Sequence, residues 1–192
     1  MRAILISIKP KYVAQILNGK KTIEIRKTCP EIFKHLKPYE GCSIDVYIYC
    51  TKDKKDYLYY DEDFGDYITL PQDCGKFSGK VVAKFTLNRV DEHHVLPTER
   101  ILPFNWNVEQ KLKQLCLTKE EVMAYGKGQD YQAFLWHISN LVIFDKPREL
   151  SEFYITHITI DVGKKIRTPL MYPRKLTKAP QSWQFIETEE LL

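Results

Sequence analysis

Lys21, Glu24 and Arg26 stand close together in the segment Gly19-Lys20-Lys21-Thr22-Ile23-Glu24-Ile25-Arg26. A basic amine, a carboxylate and a guanidinium held near one another can bind a phosphate, orient a base edge or shift each other's proton affinity. Arg26 suits bidentate contact with a phosphate or a guanine edge, and Glu24 can accept from a nucleobase amino group. In a catalytic setting Glu24 would be the base, and Lys21 or Arg26 would stabilise the phosphorane. The same spacing also fits a plain ladder of ion pairs, which is common in proteins.

Other residue groups invite chemistry with less support. Trp183, beside Arg174, Lys175 and Lys178, could stack a base while the cations hold the backbone, or it could pack in the core of a last strand. Trp136-His137 offers one inward residue, and a single histidine is more often structural than a base. Asp91-Glu92-His93-His94 looks like a metal cluster, yet neighbours on a strand project to opposite sides and no further ligands stand at suitable spacing. Gly126-Lys127-Gly128 has no strand before it, and Gly163-Lys164-Lys165 lacks the upstream glycine of a phosphate loop. No motif asks for a metal or a cofactor. The set expected to face nucleic acid is Lys20, Lys21, Glu24, Arg26, Lys27, Arg174, Lys175 and Trp183.

The elements that must position these residues follow from hydrophobic period. Arg2 to Ile8 reads as a buried strand, with Pro10 opening a helix whose stripe is Tyr12, Val13, Ile16 and Leu17. Gly19 is placed to end it, and Lys21 to Arg26 reads as an alternating strand with 21, 23 and 25 on one face. A loop carrying Pro30 and Pro38 leads to a strand from Ser43 to Thr51. Residues 52–78 break the pattern as an acidic, tyrosine-rich insertion or lid, with an edge strand open to Tyr57-Leu58-Tyr59-Tyr60. Gly79 to Val90 returns to strand, Asn107 to Leu115 to helix, and Thr118 opens a capping box for a helix stopped by Gly126. Tyr131 to Phe144 makes one or two strands, Phe153 to Val162 another, and Ser182 to Ile186 the last. The pattern implies an α+β class, a small mixed β-barrel decorated with short helices.

The chain of 192 residues fits one domain, 44% hydrophobic and 28% charged, which excludes disordered and membrane classes. No apolar run approaches the ~18 residues of a membrane span. Five cysteines without a CxxC pair, and no secretory signal at the N-terminus, suit reduced thiols in a cytoplasmic protein. The net charge of +4 is unevenly spread: residues 9–37 and 162–186 are basic, while 56–73 is acidic. Such asymmetry suits a basic face turned to phosphates, with the acidic 52–73 segment a possible contact for a protein partner.

Gly19, Lys21, Glu24 and Arg26 match a G-x-K-x-x-E-x-R signature, and the chain thereby resembles the ASCH domain family of the PUA-like superfamily, in its bacterial and phage form. Ile6-Ser7-Ile8-Lys9-Pro10, Gly79 to Phe85, Trp136 to Leu141 with Phe144 to Phe153, and Ala179 to Trp183 are similar to further stretches of that family. The resemblance implies a PUA-like barrel over residues 1–192 with a Lys/Glu/Arg-lined cleft that binds RNA or a nucleotide, without cofactor or metal. Some small members resemble it but act as amidohydrolases on acetylated cytidine, with a lysine at the place of Lys21 and a threonine at that of Glu24. Others are described as ribonucleases. Glu24 departs from the amidohydrolase pattern, so the expectation leans to a binding protein, with an RNA-directed hydrolase using Lys21 and Glu24 as the alternative.

Overall fold

The computed structural model describes residues 2–34, 41–95, 108–161 and 165–188. Strand β1 (Arg2–Ile8) is buried almost throughout because it lies inside a sheet with a core on each face. Ile4, Ile6 and Ile8 enter the larger core, and Ala3 and Leu5 the smaller one behind it. Helix α1 (Pro10–Leu17) starts at Pro10 and lays Val13, Ala14, Ile16 and Leu17 on the larger core. Gly19 then takes a left-handed φ of 70°, which reverses the chain into β2 (Ile23–Arg26).

A short helix α2 (Glu31–Lys34) precedes β3 (Ile44–Cys50), the hairpin β4 (Tyr57–Asp61) and β5 (Asp66–Leu70), and strands β6 (Val81–Leu87) and β7 (Val90–Val95). Helices α3 (Val108–Leu115) and α4 (Lys119–Tyr125) follow, then β8 (Tyr131–His137), β9 (Ser139–Arg148), β10 (Phe153–Asp161), β11 (Lys165–Lys175) and β12 (Trp183–Thr188). Seven strands form one mixed sheet in the order β11-β10-β12-β1-β3-β6-β9, in which only β1 and β3 run parallel. A second sheet, β2-β8-β7, alternates across β8: Phe134 and Trp136 enter the larger core, while Ala133 and Leu135 enter a third core under α3 and α4. The described residues therefore make an α+β fold, mostly sheet with four short α-helices. Among the described residues no ladder joins β11 to β9, so hydrogen bonding does not close the large sheet on itself.

Some expectations need correction and others gain detail. The strand after α1 begins at Ile23 rather than Lys21, so Lys21 escapes the alternation that would have turned it away from Glu24. The segment 52–78 contains a hairpin docked on α1, where Asn18 donates to the Tyr67 carbonyl and accepts from the Tyr67 N–H, both at 2.8 Å. Tyr131 to Phe144 resolves into two strands, and β9 runs on to Arg148. Strand β11 went unforeseen, because only its basic charge was noted and Pro169 and Pro173 argue against a strand there. It is an outer strand of the sheet, where proline is tolerated. Gly126 caps α4 with an ordinary φ of −74°, and the left-handed turn falls to Lys127. The close approach of the Tyr131 ring, which a β-carbon there would strike, accounts for the glycine. Pro38, Asn107 and Gly163-Lys164 lie outside the described residues.

Candidate nucleic-acid interface

Backbone hydrogen bonds clamp the segment that carries the charges. The N–H groups of Lys20 and Lys21 donate to the Gln15 carbonyl, that of Thr22 to Gln114, and Ile138 donates back to the Thr22 carbonyl, all within 2.9–3.0 Å. The segment is thus fixed to α1, α3 and the end of β8 at once. On β2, Ile23 and Ile25 are spent on the third core, so Glu24 and Arg26 take the opposite face.

Lys21, Glu24 and Arg26 are only 2%, 6% and 7% exposed. Lys21 Nζ lies 3.3 Å from Glu24 Oε2, and Arg26 Nη2 lies 3.0 Å from Glu24 Oε1. One carboxylate thereby bridges two cations. Lys21 Nζ also donates to the Leu115 carbonyl at 2.7 Å, satisfying an acceptor that the end of α3 leaves open. Arg26 Nη2 donates to the Ser7 carbonyl at 2.8 Å, and Nη1 reaches Ser182 Oγ at 3.5 Å. The triad is tied to β1, α3 and the approach to β12.

These three side chains lie along a cleft of about 630 Å³, a size common among small-ligand sites. Exposed Lys9 and Lys27 stand at its rim. Tyr12 and Tyr125 also line it, and burial raises both phenols above their ordinary values. Lys27 Nζ sits 5.2 Å from the Tyr125 ring centre and Lys21 Nζ 5.5 Å from that of Tyr12, within cation–π range. Lys11 of α1 meets Glu121 of α4 at 3.1 Å beside the cleft. The Thr118 backbone N–H, then Lys11, hold the Glu121 carboxyl below its usual range.

The remaining candidates lie elsewhere. Lys20 is exposed and turns to Asp66 on β5, 3.8 Å away. Arg174 and Lys175 are exposed on β11, and neither lines the cleft. Trp183 packs against Trp136 and Phe185 on the larger core and donates from Nε1 to Thr28 Oγ1 at 3.0 Å. It braces the wall without lining the cleft. Sequence reasoning missed Tyr12, Tyr125, Ser7 and Ser182 as neighbours of the triad, since nothing in their local spacing ties α1, α4 and the approach to β12 together.

Asp91 gathers a separate ion network. It accepts from Arg89 at 2.8 Å, from Lys111 at 3.1 Å and pairs with His137 Nε2 at 2.9 Å. Burial pushes the Asp91 carboxyl up, but the bonds from His137, Arg89 and Lys111 outweigh it and hold the group well below the usual carboxylate range. The network links β7, β8 and α3. Among the described residues no group of three or more His, Cys, Asp or Glu could hold a metal. All five cysteines are among the described residues, and none is in a disulfide. No helix there is long and apolar enough to cross a membrane.

No protein-family model matches the chain, and no curated protein does either. A crystal structure of a serine-to-alanine mutant of ZmASCH from Zymomonas mobilis superposes with a TM-score of 0.51 at 16% identity, covering 98% of this chain and 91% of that one. The fold is an ASCH fold. A crystal structure of ASCH from Zymomonas mobilis gives a TM-score of 0.46 at 16% identity, with 98% and 90% of the two chains covered.

Proposed function

We propose that this chain is an RNA- or nucleotide-binding protein of the ASCH type, a single PUA-like domain with a pseudo-barrel build, which holds its ligand in the Lys21–Glu24–Arg26 cleft. One observation carries the reading: three buried charges, summing to +1 when ionised, lie along a cleft whose rim bears Lys9 and Lys27 and whose lining includes Tyr12 and Tyr125. Buried charges cost desolvation, so a site for an anionic, ring-bearing ligand is a natural reason for their placement. A cleft of this size takes single nucleotides or unstacked bases of single-stranded RNA. Arg174, Lys175 and Lys20 would serve, if at all, as a diffuse basic surface outside the cleft.

Lys9→Ala combined with Lys27→Ala tests the reading without touching the buried triad. Affinity for a single-stranded RNA is expected to fall, and the slope of log K against log salt to become shallower by about 1.4, for two lost phosphate contacts. Unchanged affinity and slope in this variant, and again in Lys21→Ala with Arg26→Ala, would remove the support for RNA binding here.

Hydrolysis of RNA or of acylated nucleosides by Lys21 and Glu24 draws less support from the same geometry. Both Glu24 oxygens and the Lys21 amine are already engaged within the protein. Turnover of labelled RNA that disappears in Glu24→Gln would establish that alternative.

A further inference from the structure

A second cleft, of about 670 Å³, opens between the docked hairpin, the C-terminal end of α1 and the outer strand β9, and it shares no lining residue with the triad cleft. Three elements supply its charge: Glu62 in the turn after β4, Asp66 at the start of β5 and Asp145 on β9. Against these three carboxylates the lining holds one ammonium, that of Lys76, which leaves −2 when all are ionised. Lys20 reaches Asp66 at 3.8 Å with both side chains well exposed, a weak pair. Aromatic rings line the same space. The half-buried Tyr60 and Tyr67 rings stand 4.9 Å apart and inclined at 51°, and Phe77 backs Tyr67 edge-on at 5.8 Å. The Tyr67 phenol is raised above its ordinary value by burial first, then by Tyr60 and Asp145, so the Asp145 carboxylate acts within electrostatic reach of that ring. Asn18 both lines the cleft and holds Tyr67 by its two backbone bonds, so docking of the hairpin is what builds the site.

Convergent carboxylates alone would suit a hard metal ion, but among the described residues no such group is close enough to hold one. Carboxylates set apart on separate elements, with tyrosine rings between them, suit an organic cation with more than one charged head. Its methylenes can lie on the rings while each ammonium finds its own carboxylate or ring face. Lys76 shows the second kind of contact within the chain, its Nζ lying 5.2 Å from the Phe77 ring centre. We infer that this cleft binds a small aliphatic polyamine, its methylene chain along Tyr60 and Tyr67 and its ammonium groups shared among Glu62, Asp66 and Asp145. The concave shape, and a volume within the range of small-ligand sites, favour a free polyamine over a basic segment of another protein. This site is independent of the nucleotide-binding reading. The molecule thus carries a cationic cleft toward one end of α1, where Lys9 and Tyr12 lie, and an anionic one at the other, where Leu17 and Asn18 lie.

Titration calorimetry with spermidine, magnesium chloride and hexalysine at one fixed salt concentration tests it. Spermidine is expected to bind the wild-type protein, and Glu62→Gln combined with Asp145→Asn to weaken it at least about fivefold. Glu109→Gln with Asp130→Asn removes the same charge from exposed positions outside the cleft and is expected to leave binding within twofold. Equal losses in the two double variants would overturn the inference, because the protein's overall charge would then account for the binding. Magnesium that displaces spermidine at equal charge concentration would also overturn it, since a hard ion gains nothing from the rings. Lys76→Met takes away the lining's own ammonium and is expected to bind spermidine about threefold more tightly; weaker binding there would contradict the site. Hexalysine binding without spermidine binding would overturn the small-ligand assignment and mark an interface for a basic protein segment instead. No binding of spermidine to the wild-type protein would sink the proposal outright, whatever the RNA measurements give.

Discussion

Lys21 holds an ammonium group at 2% exposure between a helix-end carbonyl and a carboxylate, which makes it a structural group as well as a candidate ligand contact. Replacing it by methionine keeps much of the volume but leaves the Leu115 carbonyl and one Glu24 oxygen unmet. The expected cost is about 3 kcal/mol, read as a lower urea midpoint. A midpoint unchanged within error would show that the amine is not held as described. Asp91 gives a pH test. Its native carboxyl sits below the unfolded value of about 3.9, so its contribution is present above that pH and is lost as pH falls through and below it. Asp91→Asn is expected to cost about 2 kcal/mol at pH 7, and the gap to wild type should begin to narrow as urea titrations go below about pH 4. The triad itself was legible in the residue types, for three charges in six positions are hard to overlook. Its geometry was only half legible. Period-two alternation puts Lys21 opposite Glu24, and only the late start of β2 reverses that.

Elements with strong local signals were read well. The Thr118 capping box is present with both reciprocal bonds: Glu121 N–H donates to Thr118 Oγ1 at 3.2 Å, and Thr118 N–H donates to Glu121 Oε2 at 2.9 Å. Pro10 and Gly19 bracket α1 as their backbone preferences require. In the tyrosine-rich segment the edge strand left open at Tyr57 to Tyr60 is present as β4, but its partner β5 had no local signal because both are stabilised mainly by tertiary contact: Leu58 is fully buried, and Tyr60 and Tyr67 lean on the larger core. Asn18 is the hinge pin of that docking. Asn18→Ala removes both 2.8 Å bonds to Tyr67 and is expected to cost about 2 kcal/mol. Faster amide exchange should follow, confined to Tyr57–Leu70. Exchange spread evenly over the chain would contradict an independently docked hairpin.

At the scale of the molecule, the predominance of strands could be read from the sequence, but β5, β7 and β11 could not, nor could the order of the sheet. Nothing in Trp183 to Thr188 announces that β12 lies in mid-sheet between β1 and β10, with Ile4 opposite Phe185 and Phe153 opposite Thr188. Pairing between the two ends of a chain leaves no periodic trace, because periodicity reports burial and not partner. A chain cut before Gln181 is therefore expected to lose its near-ultraviolet circular dichroism and cooperative unfolding, since the cut splits the large sheet and bares Leu5 and Ile6. Retained cooperative unfolding in that shortened chain would refute the interior position of β12.

The bond from Arg26 to Ser182 spans 156 residues, and that separation sets a clock. At ~5–20 residues per second, synthesis takes roughly 8–30 s to pass from one to the other. Through that interval the nascent chain carries the guanidinium without its serine and the first strand without its neighbour. The proposed ligand cleft is thus completed late, by the arrival of β12 rather than by the folding of the segment that bears the charges.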